Sequence, residues 1–363
     1  MSRLSERLKT VPRRRWVLAG VNVLLALASA VCVLLLWHVT STLQTPTAAQ
    51  RFRGESDMRF AQLAAYLPVG QGKSEEDVFS FRSALESKFV EQSLQAPENG
   101  SLYLDAYCGR ANVTITTDQG SAAVTAFGVG GDFFHFHPLT LKSGAYIAQR
   151  DLMDDLVVLD ESLAWRLYGG MDLTGLTVTI NGVPFVVSGV VEMESDFASA
   201  QANPQAGGLF LSWSALKKLR EDLTVECYEV VLPDPITGYA RGVVEELFPV
   251  GEGELVENSS RYSLSHLWDV ARGFGRRSMR VNAVLYPYWE NALRLTEDYA
   301  SLLLVLAVLF ALGPVVTALV LVIVGVRGGY RYVKRAVPEK ISAAVEKHRE
   351  HLHDLELERQ EGE

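Results

Sequence analysis

The chain has 363 residues and a formal net charge of −9, with 34 Lys and Arg against 43 Asp and Glu. Hydrophobic residues make up 48% of it, and they are gathered into two long runs near its ends. The acid excess argues against binding nucleic acid or an anionic lipid surface through net charge.

Residues 16–39 contain no Asp, Glu, Lys or Arg, and neither do residues 299–326. A helix crosses the ~30 Å hydrocarbon core of a bilayer with roughly 20 apolar residues, so each run is long enough to span. Arg3, Arg7, Lys9, Arg13, Arg14 and Arg15 precede the first run with one acid, Glu6. Arg327, Arg331, Lys334 and Arg335 follow the second. Short flanks rich in Lys and Arg stay cytoplasmic. The expected layout is therefore a cytoplasmic N-terminus at 1–15 and a first span at 16–39. An extracytoplasmic domain at 40–298, a second span at 299–326 and a charged, helical cytoplasmic tail at 327–363 follow. From Thr40 to Ala300 there are 20 basic and 34 acidic residues, so the outer part carries the acid.

The first span also resembles a signal peptide, since Ala28-Ser29-Ala30 follows a basic segment like a cleavage site. The apolar run continues past it to Val39, which a cleaved signal does not need. Val31 stands where a lipoprotein signal places a small residue before Cys32. Cys32 is expected to lie in the membrane. Cys108 and Cys227, in strand-like stretches of an oxidising compartment, are read either as a disulfide or as two separate buried thiols.

After the first span, residues 49–66 place Phe52, Phe60 and Leu63 at mostly helical spacing, which predicts a helical stalk ending at Pro68 and Gly70. A helix is predicted over 75–92 from Val78, Phe81, Leu85 and Phe89. Short alternating runs follow at 101–108, 112–117, 122–129, 157–159, 177–180 and 183–191. Asn181-Gly182 between the last two predicts a tight hairpin, because Asn-Gly tolerates the positive φ of a type I′ turn. Asp160 is placed to cap a helix over 161–168 that stops at Gly169-Gly170. Helices at 212–219, 238–248 and 264–274, strands at 227–232 and 254–257, and an unbroken helix from 288 into the second span complete the pattern. Gly313-Pro314 is expected to kink that helix. In the tail, Ile341, Val345, Leu352 and Leu355 form a narrow stripe.

The chemical motifs are incomplete. Gly72-Lys73-Ser74 ends like a phosphate loop, but Leu67 occupies the position of its first glycine. Gly128, Gly130 and Gly131 do not complete a dinucleotide fingerprint, since Phe133 stands at its last position. His135 and His137, if on a strand, would face one side as half of a metal site with no recognisable third ligand. No nucleophile elbow, His-Glu-x-x-His or Cys-x-x-Cys occurs. The sequence therefore offers no catalytic, cofactor-binding or metal residues, and an enzyme is not expected.

Gly131-Asp132-Phe133-Phe134, Leu141-Lys142-Ser143-Gly144, Val157-Val158-Leu159-Asp160-Glu161-Ser162-Leu163-Ala164, Leu167-Tyr168-Gly169, Gly175 and Phe185-Val186-Val187-Ser188-Gly189-Val190 occur in that order. In order and spacing they resemble the periplasmic core domain of MacB-type ABC transporter permeases. The resemblance implies an α+β fold: a mixed α/β extracytoplasmic domain with an inserted β-rich lobe at about 128–222, flanked by two transmembrane helices. It also implies a non-enzymatic, accessory permease-like subunit in a bacterial cytoplasmic membrane, coupling a cytoplasmic ATPase to the outer domain. Its partners would be the lipid bilayer, an ABC ATPase subunit, and a fuller permease or a second copy. The alternative is an autonomous membrane-anchored receptor or interaction module with the same outer domain. Family permeases commonly have four spans, three of them after the core domain, whereas one span is found there here. Tyr286-Pro287-Tyr288-Trp289 has no counterpart in the pattern and is read either as an interfacial anchor or as packing against the outer domain.

Overall fold

The computed structural model describes residues 12–94, 96, 100–148, 154–203, 208–276 and 284–361. The chain divides into two compact units, one of residues 1–34 with 305–363 and one of residues 35–304.

The sheet domain begins at the end of the first helix, α1 (Arg13–Ser41). A short 3-10 turn at Thr45–Thr47 leads to α2 (Ala48–Arg53), and strand β1 (Phe60–Tyr66) follows. This corrects the predicted stalk over 49–66. Every residue of β1 is buried, because Leu63 and Ala65 enter the core on one face of the sheet while Ala64 and Tyr66 enter it on the other. A strand covered on both faces reads as a continuous apolar run, which does not betray its period. The one polar side chain, Gln62, is consumed locally: it accepts from the Ala48 amide at 3.0 Å and donates to the Thr45 carbonyl at 2.9 Å.

Helix α3 (Glu75–Glu91) comes next, then the long hairpin β2 (Leu104–Thr117) and β3 (Gly120–Gly131). After it come α4 (Phe133–Phe136), β4 (Thr140–Gly144), β5 (Leu156–Asp160), α5 (Glu161–Tyr168), β6 (Thr177–Ile180) and β7 (Val183–Glu192). The domain continues through α6 (Phe197–Ala202), β8 (Leu209–Ser212), α7 (Trp213–Leu219), β9 (Cys227–Pro233), α8 (Tyr239–Leu247), β10 (Glu254–Glu257) and α9 (Leu264–Gly273). Among the described residues these strands form one sheet in the order β10-β1-β9-β2-β3-β8-β5-β7-β4, with β6 bridging β2 and β7.

Local signals are honoured where they are strong. The Asp160 carboxylate accepts from the Leu163 amide at 2.7 Å and Gly169 ends α5 in the left-handed region. Asn181 and Gly182 have φ of +47° and +87°, as the predicted hairpin requires. The Asn181 side chain also accepts from the Thr114 amide at 2.9 Å, tying the turn to β2.

The sheet is the middle layer. One face packs Val78, Phe81 and Leu85 of α3 and Val243, Val244 and Phe248 around α8 against Leu63, Tyr228 and Val230. The other packs Ala48, Phe133, Phe136, Phe210 and Trp289 against Ala64, Val231, Cys108 and Cys227.

The last helix, α10 (Tyr288–Glu361), runs through Gly313 and Pro314 without ending. In the second unit, α1 and α10 touch through small and polar residues. Ser29 donates to the Ala307 carbonyl at 2.9 Å and Thr317 donates to the Asn22 side chain at 3.1 Å. Gly313 sits where an added Cβ would meet Leu25 at 3.1 Å. Small residues admit this approach and hydroxyl or amide groups hold it in an apolar medium. Outward-facing apolar residues such as Leu24, Leu34, Leu319 and Leu321 are exposed, as a lipid-facing surface requires. The domain is α+β, and two apolar helices long enough to span flank it.

Candidate functional site

The N-terminal turns of α10 are embedded in the sheet domain. Trp289, Glu290, Leu293, Thr296, Glu297 and Ala300 are all buried, so charged residues one and two turns apart are withdrawn from water. Burying a carboxylate is costly unless it is paired and hydrogen-bonded. The partner is Arg261, which follows the 3-10 turn Asn258–Ser260 after β10 and is itself buried.

Arg261 makes a two-pronged contact with Glu290, and its Nε donates to Glu297 Oε1 at 2.7 Å. Its remaining capacity goes to Asn258 Oδ1 at 2.8 Å. Glu290 also accepts from Arg294 Nε at 2.8 Å and from the Tyr66 hydroxyl at 3.0 Å. Arg294 reaches on to Glu254 of β10, which the Tyr286 hydroxyl also contacts. His266 of α9 lies 3.1 Å from Glu297. One connected polar network thus ties the root of α10 to β1, β10 and α9.

Its electrostatics follow from burial and charge. Burial works against the Arg261 cation, but the Glu290 and Glu297 carboxylates more than offset it and hold the guanidinium well above its usual value. Burial first, and then the Glu290 charge, push the Tyr66 phenol up, so it stays a donor. Such an array offers no nucleophile and no open coordination. What it can do is hold a helix in a defined orientation, because each bidentate Arg–carboxylate contact constrains angle as well as distance.

Beside it, His137 Nε2 lies 2.5 Å from Glu229 Oε2, both residues being buried. The His137 ring packs 4.5 Å from that of Trp289, in the first turn of α10. The Tyr286-to-Trp289 segment therefore packs into the domain, which settles the two readings of its aromatics: Tyr286 is 2% and Trp289 1% exposed.

His135 and His137 lie in and just after the short helix α4, not on a strand. His135 lies 3.4 Å from the Ala48 carbonyl and His137 turns toward Glu229, so they share no site. No group of three potential metal ligands occurs among the described residues. Ser74 of the glycine-lysine-serine segment caps α3 in a reciprocal box with Asp77, and Lys73 lies over the Phe248 ring at 4.9 Å. Gly130 lies where a Cβ would strike the Tyr107 ring, so close packing of the β2–β3 pair accounts for this glycine.

Sequence reasoning missed this network. Glu290, Arg294 and Glu297 at one face's spacing, just ahead of an apolar span, were the legible signal. Nothing in the sequence marked Arg261 as their partner.

A cleft of about 810 Å³ opens elsewhere on the domain, lined by Arg110, Asn112, Arg166, Phe210, Tyr288 and Asn291 among others, with no carboxylate among the described residues of its lining. Arg110 is paired with Glu226 at 2.7 Å, whereas Arg166 is exposed.

The model of the MacB-like periplasmic core domain matches residues 26–237. Among solved structures, the chain is similar to the periplasmic region of MacB from Actinobacillus actinomycetemcomitans, with 17% identity and a TM-score of 0.39, covering 60% of this chain and 93% of that one. It is also similar to the extracellular domain of the noncanonic ABC-type transporter YknZ from Gram-positive bacteria, with 13% identity and a TM-score of 0.36, covering 52% of this chain and 90% of that one. No curated protein matches it.

Proposed function

Because the chain belongs to the MacB-like periplasmic core domain family, matched over residues 26–237, we propose that it is an accessory, permease-like subunit of a MacB-type ABC transporter system. It would couple the motion of a cytoplasmic ATPase to the sheet domain outside the membrane. Both termini are then cytoplasmic, as the Arg-rich flanks favour. Two spans cannot by themselves enclose a lipid-free path, so the role calls for an ATPase and either a fuller permease or a second copy.

The observation that carries this reading is the buried network at the root of α10. One continuous helix holds both the apolar span and Glu290, Arg294 and Glu297, and these are held by Arg261, by Tyr66 of β1, by Glu254 of β10 and by His266 of α9. A helix fastened this way passes rotation or tilt to the sheet, whereas a root attached by a flexible linker would dissipate it.

The test is affinity purification of the tagged full-length chain from detergent-solubilised membranes, with ATP hydrolysis assayed in the eluate. Co-purification of an ATPase, lost when α10 is replaced by an unrelated span, is expected. A chain that purifies without any ATPase, and whose deletion phenotype persists unchanged in ATPase mutants of the same membrane, overturns the reading. A second reading, an autonomous receptor or interaction module, is favoured by the 810 Å³ cleft with its two guanidinium groups.

A further inference from the structure

Cys108 and Cys227 stand directly opposite each other in the antiparallel pair β2–β9. Both are free thiols and both are buried, at 3% and 2% exposure. Opposed residues in an antiparallel pair have Cα atoms about 4.5–5.5 Å apart, inside the roughly 4.4–6.8 Å that a disulfide bridges. The third cysteine, Cys32, lies in α1 and cannot compete for either. Cys227 is also within hydrogen-bonding reach of Cys108, and burial, then that contact, pushes its thiol well up.

We propose that Cys108 and Cys227 are oxidised to a disulfide as the protein matures, making this strand pair a covalent modification site. The inference rests on the reading that the sheet domain is extracytoplasmic, where thiols meet an oxidant. The oxidant is a protein or small-molecule disulfide of that compartment. The Cys108 thiolate attacks one of its sulfurs, forming a mixed disulfide and expelling the other sulfur as a thiolate. The Cys227 thiolate then attacks the Cys108 sulfur and expels the oxidant's second thiolate. The two protons lost by the cysteines and two electrons end on the oxidant, whose two sulfurs leave as thiols. The exchange belongs to folding, before β2 and β9 close over the thiols, because a buried protonated thiol is inert.

The location gives the bond a role. β2 leads into residues 109–226 and β9 leads out of them, so the bond would join the two strands at the neck of that whole segment. β3 to β8, with the cleft residues Arg110, Asn112, Arg166 and Phe210, would then be carried on a covalently closed base.

The experiment uses the full-length chain in a Cys32→Ser background, expressed in its membrane, acid-quenched, denatured and treated with maleimide-polyethylene glycol before and after reduction. No tag before reduction and two after it are expected. Two tags before reduction overturn the inference. In a separate background with all three cysteines changed to Ser, Ser101→Cys is probed in intact cells with a membrane-impermeant maleimide. If Ser101→Cys is labelled while Cys108 and Cys227 still take two tags, the disulfide fails and the compartment stands. If Ser101→Cys is not labelled, the compartment reading fails, and with it the inference. As an independent readout, a reducing agent should lower the thermal midpoint of the Cys32→Ser protein and leave that of the Cys32→Ser, Cys227→Ser protein unmoved. An equal response of both proteins counts against the bond.

Discussion

Arg261 and Glu290 meet inside the sheet domain through two parallel hydrogen bonds, Nη1 to Oε2 at 2.8 Å and Nη2 to Oε1 at 2.5 Å, with side chains 1% and 0% exposed. The pair joins a loop after β10 to the first turn of α10. Removing one member of such a pair leaves a buried charge uncompensated. Arg261→Met should therefore destabilise the domain by about 3–5 kcal/mol. Denaturant unfolding of the purified protein, followed by tryptophan fluorescence, measures this. A loss under about 1 kcal/mol would place the pair with the weak surface ion pairs and remove its clamping role.

A linked prediction concerns partial rescue. Arg261→Met combined with Glu290→Leu and Glu297→Leu removes cation and carboxylates together. Because the three residues act as a unit, the triple variant should lose less stability than the three single losses summed. Strict additivity in the same unfolding measurement would contradict the network.

Glu194 follows β7 and is partly buried, and its carboxyl is raised from its usual value of 4.5 by that burial, with Ser199 and Thr45 offering only 3.4 and 3.5 Å contacts in return. An acid raised on folding stabilises the fold when protonated, at low pH. That contribution is lost as pH rises through the folded value. At pH 7 the carboxylate thus weakens the domain. Glu194→Gln should raise the thermal midpoint at pH 7, with the advantage shrinking as pH falls toward 4.5. A midpoint difference that does not change with pH would show that ionisation is not the cause.

Gly182 has φ of +87° with open space around its Cα, so a side chain there meets no clash and any penalty is backbone strain alone. Gly182→Val should cost about 1–3 kcal/mol, and Gly182→Asn distinctly less, because Asn tolerates the left-handed region. Equal melting temperatures for the two variants would show that the turn relaxes.

What was legible followed the range of the interaction. Asp160 capping α5 and Asn181-Gly182 closing β6 and β7 are decided by neighbours within a few residues, and both are found as expected. Strand β1 was not, since its burial comes from β9, β10 and the layers above and below, none of which its own spacing encodes. The functional network divides the same way. Glu290, Arg294 and Glu297 declare themselves by helical spacing, but Arg261 reaches them only because the 3-10 turn after β10, the strand and the helix converge in three dimensions.

In the membrane unit, an added Cβ at Gly313 would come 3.1 Å from Leu25. Gly313→Leu should push α1 and α10 apart there. In a chain otherwise lacking cysteine, Ser29→Cys with Ala307→Cys should oxidise readily in membranes, since Ser29 already contacts the Ala307 carbonyl at 2.9 Å. Adding Gly313→Leu should cut that cross-linking several-fold. Unchanged cross-linking would mean that the glycine does not set the approach.

The root of α10 folds back against the strand that opens the sheet. Pro68, just past β1, bridges Val284, just ahead of α10, and Tyr66 holds Glu290. A water-soluble form of the domain therefore has to keep α10 through Ala300, because Trp289, Glu290, Glu297 and Ala300 belong to its interior and a fragment without them would leave Arg261 a buried cation stripped of its carboxylates.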